Sequence, residues 1–281
     1  MFRLTAIITT LHLLLFFIWV IYWLNSLRNH KRKLRELADK EEHLKSTTKE
    51  LIGNITHDLR TPLTAIQGYA QGILDGVATS PETLNRYAAT IKGKSEDMAT
   101  LVEDLSVFAE LYDTTPRYSM REVCVREYIS SCISNLSLDM ELKKISLIYR
   151  FCADYDARIY IDKEKIKRVI YNIIGNSIKY IRSEIGVIMT SVEETDESIL
   201  IHISDNGDGI ANEDLTNIFE KFYRTDQSRS TNPGGSGLGL SIAKKITEDH
   251  NGKIWAQSVL GQGTTISISL PKIVDGTVNM C

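Results

Sequence analysis

Two hydrophobic patterns follow one another at the start of the chain. Residues 4–24 contain no Asp, Glu, Lys or Arg, and a helix of that length would span roughly 31 Å, about the hydrocarbon thickness of a bilayer. Beyond it, leucine and isoleucine recur at multiples of seven residues in two rows, which is typical of paired helices. The rows are Leu27, Leu34 and Ile55, and Leu37, Leu44 and Leu51. The pattern predicts a transmembrane anchor over 1–27 and a coiled-coil linker over 28–50.

The residues that flank the apolar segment set its expected orientation. Trp19, Tyr22 and Trp23 gather near its C-terminal end and five basic side chains follow within 28–35, so that side should stay in the cytoplasm. A cleaved signal peptide is the rival interpretation, but its apolar core would be too long and no small-x-small cleavage site follows. We expect a single uncleaved span with almost nothing outside the membrane. His12 could be a proton or ligand sensor or a neutral donor facing a partner helix, and we favour the second.

Two amphipathic helices joined by a short turn follow the linker. The first runs through Ile66 and Tyr69 and ends near Gly76, and 78–82 combines a turn with a helix start. The second has apolar residues mostly three and four apart: Leu84, Tyr87, Ile91, Met98, Leu101, Leu105 and Phe108. Such a pair forms an antiparallel hairpin, and two copies form a four-helix bundle. The apolar face is too wide to be left exposed, which favours a homodimer through a domain over 51–115.

A break at 114–117 marks the start of the next domain, 116–275, which precedes a tail over 276–281. The pattern predicts helices at about 121–142, 162–181, 214–219 and 237–249, and strands near 146–151, 157–161, 187–193, 198–204, 253–258 and 264–270. Because several strands are hairpin neighbours, an α+β sandwich with helices on one sheet face fits better than a doubly wound parallel sheet. The expected fold is therefore a transmembrane helix, a dimeric antiparallel helical hairpin and a C-terminal α/β sandwich.

Composition and charge narrow the function classes. Apolar content of 43% and charged content of 25% are those of a globular protein. A formal net charge of -3 does not suggest nucleic-acid binding. The four cysteines form neither a CxxC pair nor a Cys/His metal pattern, so we expect free thiols in a reducing compartment.

One histidine in the first hairpin helix is a candidate for chemistry. His57 precedes Asp58, and Pro62 follows five residues after the histidine. The heptad register puts His57 between the apolar rows, on a water-facing flank that a second domain could reach. Pro62 is expected to bend or loosen the helix about one turn later. Taken alone, this segment is better explained as an ordinary surface histidine on a kinked helix.

Two glycine-rich turns have the features of a ligand site. In 205–210, Asp205 ends a strand and precedes two glycines, giving a fixed acceptor beside a backbone that a flat ligand could approach. A surface turn is the alternative. The 234–240 segment opens a helix, where free amides bind anions such as phosphate. It matches neither a P-loop nor a dinucleotide fingerprint, and a flexible loop is the alternative.

The predicted helix before these turns carries Asn172, Asn176 and Lys179 on one face, followed by Tyr180. An amide oxygen can ligate Mg²⁺ when phosphate and water complete the shell, and a lysine one turn on can meet phosphate charge. For this helix alone, a solvent-facing polar stripe is the better explanation.

An aromatic segment, 218–224, follows the first glycine turn. Phe219 and Phe222 are expected to be core anchors. Arg224 begins a polar loop, 225–233, that could close over a nucleotide.

Together and in this order, these segments resemble the bacterial sensor histidine kinases of two-component systems. The matching segments are 57–62 (phosphoacceptor box), 172–180 (asparagine box), 205–210, 235–240 and 261–264 (glycine boxes), and 219–224 (aromatic box). Each motif alone is weak or moderate, whereas five or six in the right order are specific. The resemblance covers about 44–271, nearly everything after the apolar segment.

The resemblance implies a fold, a substrate and residue roles. The fold is a dimeric hairpin with an ATP-binding domain of the type shared with gyrase and the Hsp90 chaperones. His57 would take the γ-phosphoryl group of ATP and pass it to an aspartate of a separate response regulator, and Thr61 matches the position tied to dephosphorylating that regulator. Asp205 would receive the adenine amine, while Asn176, with Asn172, would hold Mg²⁺. The other implied ATP-binding residues are Lys179, Tyr180, Gly207, Gly209, Ile210, Phe222, Arg224, Gly235, Gly237, Leu238, Gly239, Leu240 and Thr264.

The residue chemistry agrees with phosphoryl transfer, which needs mainly positioning and charge neutralisation. A neutral imidazole is available near pH 7. Asp58 could hold the other ring N–H of His57 and stabilise the positive ring, although it could also be plain helix surface. Arg224 would join these groups at the phosphates. Where related ATPases carry a glutamate that activates water, this chain has Asn172, which favours transfer to His57 over hydrolysis.

Departures from the family pattern leave other classes open. With one membrane span and no sensor or relay domain, the signal could come from a membrane-embedded sensory partner, and 181–184 lacks the proline and glycine common in the family. A signalling adaptor with a degenerate kinase domain is one alternative, against which the intact His57, Asn176 and Asp205 argue. A regulator-directed phosphatase with minor kinase activity is the other. The expected location is the bacterial cell membrane, with the kinase domains in the cytoplasm.

Overall fold

The computed structural model describes four stretches of the chain and a few single residues near its start. They are 55–111, 117–183, 185–225 and 236–273, with Phe17, Trp19, Tyr22, Trp23, Asn25, Arg28, Lys31 and Gly53. The chain divides into two compact units, Met1–His57 and Asp58–Cys281. Most of the predicted anchor and linker, and all but Ile55 of the two heptad rows, lie outside the described residues.

The first unit is described at a few helical positions. Phe17, Trp19, Tyr22 and Trp23 are helical and exposed, and the rings of Trp19 and Trp23 stack with centroids 6.4 Å apart. Within the ranges given above, no helix combines the length and the apolar character that a membrane crossing requires.

The helical hairpin is present as predicted. Helix α1 covers 55–74 and continues through Pro62, and helix α2 covers Pro81–Leu111. The Ser80 hydroxyl caps α2 by accepting the Thr83 N–H at 3.1 Å, because the first turn of a helix leaves its N–H groups without intrahelical partners. Tyr69 of α1 meets Tyr87 of α2 edge to face, with ring centroids 5.0 Å apart.

The single helix predicted over 121–142 is wrong. This stretch forms strand β1 (Arg121–Cys124), helix α3 (Val125–Ser134) and helix α4 (Ser137–Leu142). Strand β1 pairs antiparallel with β3 (Arg158–Ile161), and Val123 lies opposite Ile159. The partner strand is remote in sequence, so the local pattern does not reveal the pairing.

A five-stranded sheet forms the core of the C-terminal domain. Its strands are β2 (Ile145–Phe151), β4 (Gly186–Glu194), β5 (Ser198–Asp205), β6 (Lys253–Val259) and β7 (Gly263–Pro271). Their order is β2-β4-β5-β7-β6, with β2 and β4 parallel and the other pairs antiparallel. The prediction of a largely antiparallel α+β sandwich is therefore confirmed.

Helices α5 (Lys163–Tyr180) and α6 (Gly239–Asp249) pack together and contribute a core rich in isoleucine with the sheet. The fully shielded side chains include Ile166, Ile170, Ile173 and Ile174 of α5, Ile242 and Ile246 of α6, and Ile188, Ile199, Ile201 and Ile268 of the sheet. Removing this apolar surface from water is the main driving force for the sandwich. It leaves the polar side of α5 to face the turns after β5 and before α6.

The start of α5 is fixed by a buried carboxylate. Asp162 is 7% exposed, and its Oδ1 accepts the N–H groups of Glu164 and Lys165. Its Oδ2 accepts the N–H of Ser119 at 2.8 Å. The predicted helix start at Asp162 is thus confirmed as a capped N-terminus.

The short helix predicted over 214–219 is also wrong, since this region is a succession of turns. The N–H of Asn217 donates to the Asp214 carbonyl and that of Glu220 to the Asn217 carbonyl, both at 2.8 Å. The Asp214 carboxylate accepts the Tyr223 hydroxyl at 2.5 Å, which favours tight turns over a regular helix.

Candidate functional site

A cavity of about 500 Å³ lies between α5, the turns that flank β5 and α6, and the helical hairpin. It gathers most residues singled out from the sequence. They are Asp58, Thr61, Asn172, Asn176, Lys179, Tyr180, Asp205, Gly209, Ile210, Arg224, Gly237, Gly239, Leu240 and Thr264. The fold thus brings motifs that are far apart in the sequence together around one cavity.

The Asp205 carboxylate is held from three directions. Its Oδ2 accepts the Ser177 hydroxyl at 2.8 Å, and its Oδ1 accepts the N–H groups of Gly207 at 3.0 Å and Thr264 at 3.2 Å. Three hydrogen bonds from separate parts of the chain keep the carboxylate in one orientation. Asp205 is only partly covered and lines the cavity, so it can accept a further hydrogen bond from a ligand amine.

Two glycines allow the loops around Asp205 to meet closely. Gly209 has φ +70, and a Cβ there would lie 2.2 Å from the Val259 carbonyl oxygen. Gly263 has φ +113, and a Cβ there would lie 2.0 Å from the Asp205 carbonyl oxygen. Only glycine fits both the conformation and the space at these positions.

Lys179 and Arg224 supply positive charge to the cavity. Burial and, next in size, the nearby Arg224 charge lower the pKa of Lys179 to about 8, against an opposing effect of Asp97 and Asp58. The Lys179 ammonium also lies 5.4 Å from the centre of the Tyr180 ring. Two close cations in a partly shielded pocket favour an anionic ligand such as phosphate.

The two asparagines differ in how they are held. The Asn172 side-chain N–H donates to the Gly239 carbonyl at 2.9 Å, which leaves its oxygen as the atom able to ligate a cation. Asn176 lines the cavity half-buried. In the stretches that the structure describes, no group of three or more His, Cys, Asp or Glu side chains could hold a metal. One or two amide oxygens fit a Mg²⁺ ion only if its other ligands are phosphate and water.

Some predicted ATP-binding residues do not line the cavity. Gly207 is buried behind Asp205, Leu238 is 1% exposed in the core, and the Phe222 ring packs 6.2 Å from that of Phe108. These three support the wall of the site. Gly235 and all of the predicted 225–233 loop except Thr225 lie outside the described residues.

His57 belongs to the first compact unit, at the end of Met1–His57. It is helical and exposed, as the heptad register predicted. An imidazole on an exposed helix surface can be approached by another domain or protein. Asp58, the next residue, begins the second unit and lines the cavity.

Sequence reasoning missed three features of the cavity. Ser177 is a single buried serine on the isoleucine face of α5 and donates to Asp205. A lone polar residue in an apolar stripe was the sequence signal that could have identified it. Arg182 pairs with Asp208 at 2.8 Å across the first glycine turn. Asp97 of α2 also lines the cavity, and its charge raises the pKa of Lys179. No local sequence pattern predicts that Asp97 lies at this site.

Two family descriptions match the chain. Residues 161–273 match the histidine kinase-, DNA gyrase B-, and HSP90-like ATPase. Residues 47–111 match the His Kinase A (phospho-acceptor) domain. The first match contains strands β4, β5, β6 and β7 of the sheet with the glycine turns, and the second contains the hairpin with His57.

Curated relatives extend over both domains. The sensor histidine kinase WalK of Bacillus subtilis (strain 168) is 33% identical over 233 residues, which is 82% of this chain and 38% of WalK. The sensor protein SrrB of Staphylococcus aureus (strain N315) is 32% identical over 237 residues, which is 83% of this chain and 39% of SrrB. The chain thus spans well under half the length of these relatives.

Solved structures share the same architecture. The Acinetobacter baumannii histidine kinase AdeS superposes with a TM-score of 0.60 at 25% identity, covering 76% of this chain and 97% of AdeS. Histidine kinase ThkA, solved in complex with the response regulator protein TrrA, has a TM-score of 0.65 at 24% identity, covers 81% of this chain and 63% of ThkA, and supports the fold alone. Hairpin, sandwich, glycine turns and exposed histidine agree with both domain matches, so the chain belongs to the sensor histidine kinase family.

Proposed function

We propose that this protein binds ATP, phosphorylates its own His57 and passes the phosphoryl group to an aspartate of a response regulator. The observation that carries the proposal is one cavity whose wall combines the fixed Asp205 carboxylate with the Lys179 and Arg224 cations. An acceptor for the adenine amine and positive charge for phosphates are complementary to the two ends of ATP. Membership of the sensor histidine kinase family supports the same activity.

Asp205 makes the site selective for adenine over guanine. Three protein donors fix its two oxygens, and an ionised carboxylate, which carries no proton, can only accept a hydrogen bond from the base. Adenine offers an exocyclic amine, whereas guanine would offer a carbonyl oxygen at the corresponding position and repel the carboxylate.

In the proposed transfer, a ring nitrogen of neutral His57 forms a bond to the γ-phosphorus of ATP. The bond from that phosphorus to the β–γ bridging oxygen breaks, and ADP leaves with the electron pair. The ring is positive after attack and releases its N–H proton to a base. Asp58, adjacent in the chain, is proposed for that role, while Lys179 and Arg224 neutralise phosphate charge.

The cavity also fits a Mg²⁺ ion that arrives with the nucleotide. Asn176 and the free oxygen of Asn172 are the proposed protein ligands, because the Asn172 nitrogen is already engaged by Gly239. When bound, the ion supplies additional neutralisation of phosphate charge.

A phosphatase activity toward the phosphorylated regulator is proposed for the same face of the hairpin. Thr61 is exposed, lies one helical turn after His57 and Asp58, and borders the cavity. Its hydroxyl could orient a water molecule at a phosphoaspartate held against α1.

Homodimer formation is proposed through the hairpin. Exposed apolar side chains remain on both of its helices, namely Leu63, Leu74, Leu84 and Val102, and a second hairpin would cover such surface in a four-helix bundle.

We further propose that 4–24 anchors the protein in the bacterial cell membrane with the kinase domains in the cytoplasm. A membrane-embedded sensory partner would then provide the signal.

Incubation of the full chain in detergent micelles with γ-labelled ATP and Mg²⁺ tests the proposal. We expect a label on the protein that is acid-labile and alkali-stable, as a phosphoramidate is, and that is absent in His57→Gln. An adaptor with a degenerate domain would acquire no label, and a label that persists in His57→Gln would contradict the assignment.

A further inference from the structure

One turn of α2 contacts the C-terminal domain through charge. The guanidinium of Arg168, on α5, donates to Glu103 at 2.9 Å and to Asp104 Oδ1 at 2.7 Å. The side chains of Arg168 and Asp104 are 18% and 13% exposed, whereas that of Glu103 is 70% exposed. Since solvent screens exposed ion pairs, Asp104 is the partner that matters most to Arg168.

The second oxygen of Asp104 reaches the segment that opens α6. Asp104 Oδ2 accepts the Ser236 hydroxyl at 3.2 Å, and the same Ser236 oxygen accepts the Leu238 N–H at 3.1 Å. Ser236 is 8% exposed. A hydroxyl has one proton to donate and lone pairs to accept, so both bonds can form together. A carboxylate of the hairpin is thus linked through one serine to the N-terminus of α6.

A second contact, one turn further along α2, supports the backbone at Gly237 from the side of Phe222. Phe108, 7% exposed, packs against Phe222, whose ring centroid is 6.2 Å away. The Phe222 N–H donates to the Gly237 carbonyl at 3.0 Å, and Phe222 has φ 61, a conformation unfavourable for a bulky residue. Asp104 and Phe108 are four apart on one helix face, so one face of α2 supports both approaches to Gly237.

We propose that Asp104 is a positioning residue for nucleotide binding, acting through Ser236 on the backbone that opens α6. This inference rests on the proposed function and on the expectation from the sequence that free amides of the 234–240 segment bind phosphate. The charged carboxylate fixes the Ser236 hydroxyl and, through it, the Leu238 amide, so these groups need not be ordered when the nucleotide binds. The position of the hairpin would thereby influence the affinity for ATP.

The test compares Asp104→Asn, Ser236→Ala and the double variant in the full chain. We expect each single change to weaken binding of a fluorescent ATP analogue roughly tenfold, as loss of a charge-assisted hydrogen bond implies. The KM for ATP in autophosphorylation should rise by a similar factor with little change in kcat. Because both changes break one chain of contacts, the double variant should bind no more weakly than the single variants.

Glu103→Gln is the matched control, because it removes the exposed partner of the same Arg168 and should bind the analogue like the wild type. Thermal melting checks that each variant is folded. If Asp104→Asn does not fold, Ser236→Ala still tests the same contact. Wild-type affinity in folded Ser236→Ala, additive losses in the double variant, or a lowered kcat at unchanged KM would each overturn the inference while leaving His57 labelling, and hence the proposed function, intact. A wild type that binds no ATP analogue would overturn both.

Discussion

The orientation of the Asp205 carboxylate depends on the groups that donate hydrogen bonds to it. The carboxylate has one side-chain donor, Ser177, and two backbone donors, from Gly207 and Thr264. Side-chain substitutions other than proline leave the backbone donors in place, so Ser177 is the position at which the orientation of Asp205 can be changed without altering its charge.

Ser177→Ala should weaken ATP binding about fivefold, since a net hydrogen bond contributes on the order of 1 kcal/mol. Isothermal titration with a non-hydrolysable ATP analogue would measure the loss. Ser269→Ala is a suitable control, because it removes a hydroxyl that accepts the Lys253 N–H between β6 and β7. Equal effects of the two substitutions on affinity would show that Ser177 acts only on stability.

Lys179 gives the site an expected pH dependence. Its pKa lies near 8 because of burial and the Arg224 charge, so the empty site loses this positive charge as the pH rises through that value. Bound phosphate favours the protonated amine and raises its pKa, so binding takes up a proton in this range.

Affinity for ATP should therefore be full below about pH 7 and fall as the pH rises from about 7.5 to 9. Fluorescence titrations across that range would measure the change. Lys179→Arg should make the affinity nearly independent of pH there, because a guanidinium stays charged. A wild-type affinity that is constant from about pH 7 to 9 would contradict the role assigned to this lysine.

At the scale of elements, His250 joins the end of α6 to the start of α5. Its Nε2 accepts the Asp162 N–H at 3.0 Å, so its Nδ1 carries the proton and donates to the Ile246 carbonyl at 2.7 Å. The ring is 3% exposed. Burial lowers the pKa of His250, although the charges of Asp162 and Asp249 oppose the shift.

Because the pKa of His250 is lowered by folding, the unfolded chain takes up a proton at this residue at a higher pH than the folded protein does. The free energy of unfolding should thus be greatest above the ordinary histidine pKa of about 6.5 and decrease as the pH falls below it. Urea unfolding should show a smaller decrease in His250→Gln than in the wild type between about pH 7 and 5. His57→Gln, which removes an exposed histidine, is the matched control for the loss of an imidazole, and an unchanged dependence in His250→Gln would refute the assignment.

Elements with their own periodicity were predictable from the sequence. The three-four spacing predicted the second hairpin helix, the alternation at Ile199, Ile201 and Ile203 predicted β5, and Asp162 marked the start of α5. The failures at 121–142 and 214–219 have a common cause. Both regions take their structure from partners outside the segment or from side-chain bonds within turns, which hydrophobic spacing does not record.

At the scale of the whole molecule, the order of the motifs predicted which residues share a cavity, because the sheet brings the ends of β5 and α5 and the start of α6 together. The sequence did not reveal which hairpin residues complete its wall. Asp97 and Asp104 come from α2, and the partners Asp104 and Arg168 are 64 positions apart. Contacts of this kind depend on packing between elements and have no local signature.

The proposed function requires that the γ-phosphoryl group of ATP arrives on the imidazole of His57. Mapping the phosphorylated peptide by mass spectrometry under neutral to alkaline conditions tests this most directly, with Asp205→Asn as a variant that should not accumulate phosphate. We expect a single phosphoramidate at His57 in the wild type. Phosphate on another side chain, or steady ATP hydrolysis without any phosphorylated peptide, would contradict it.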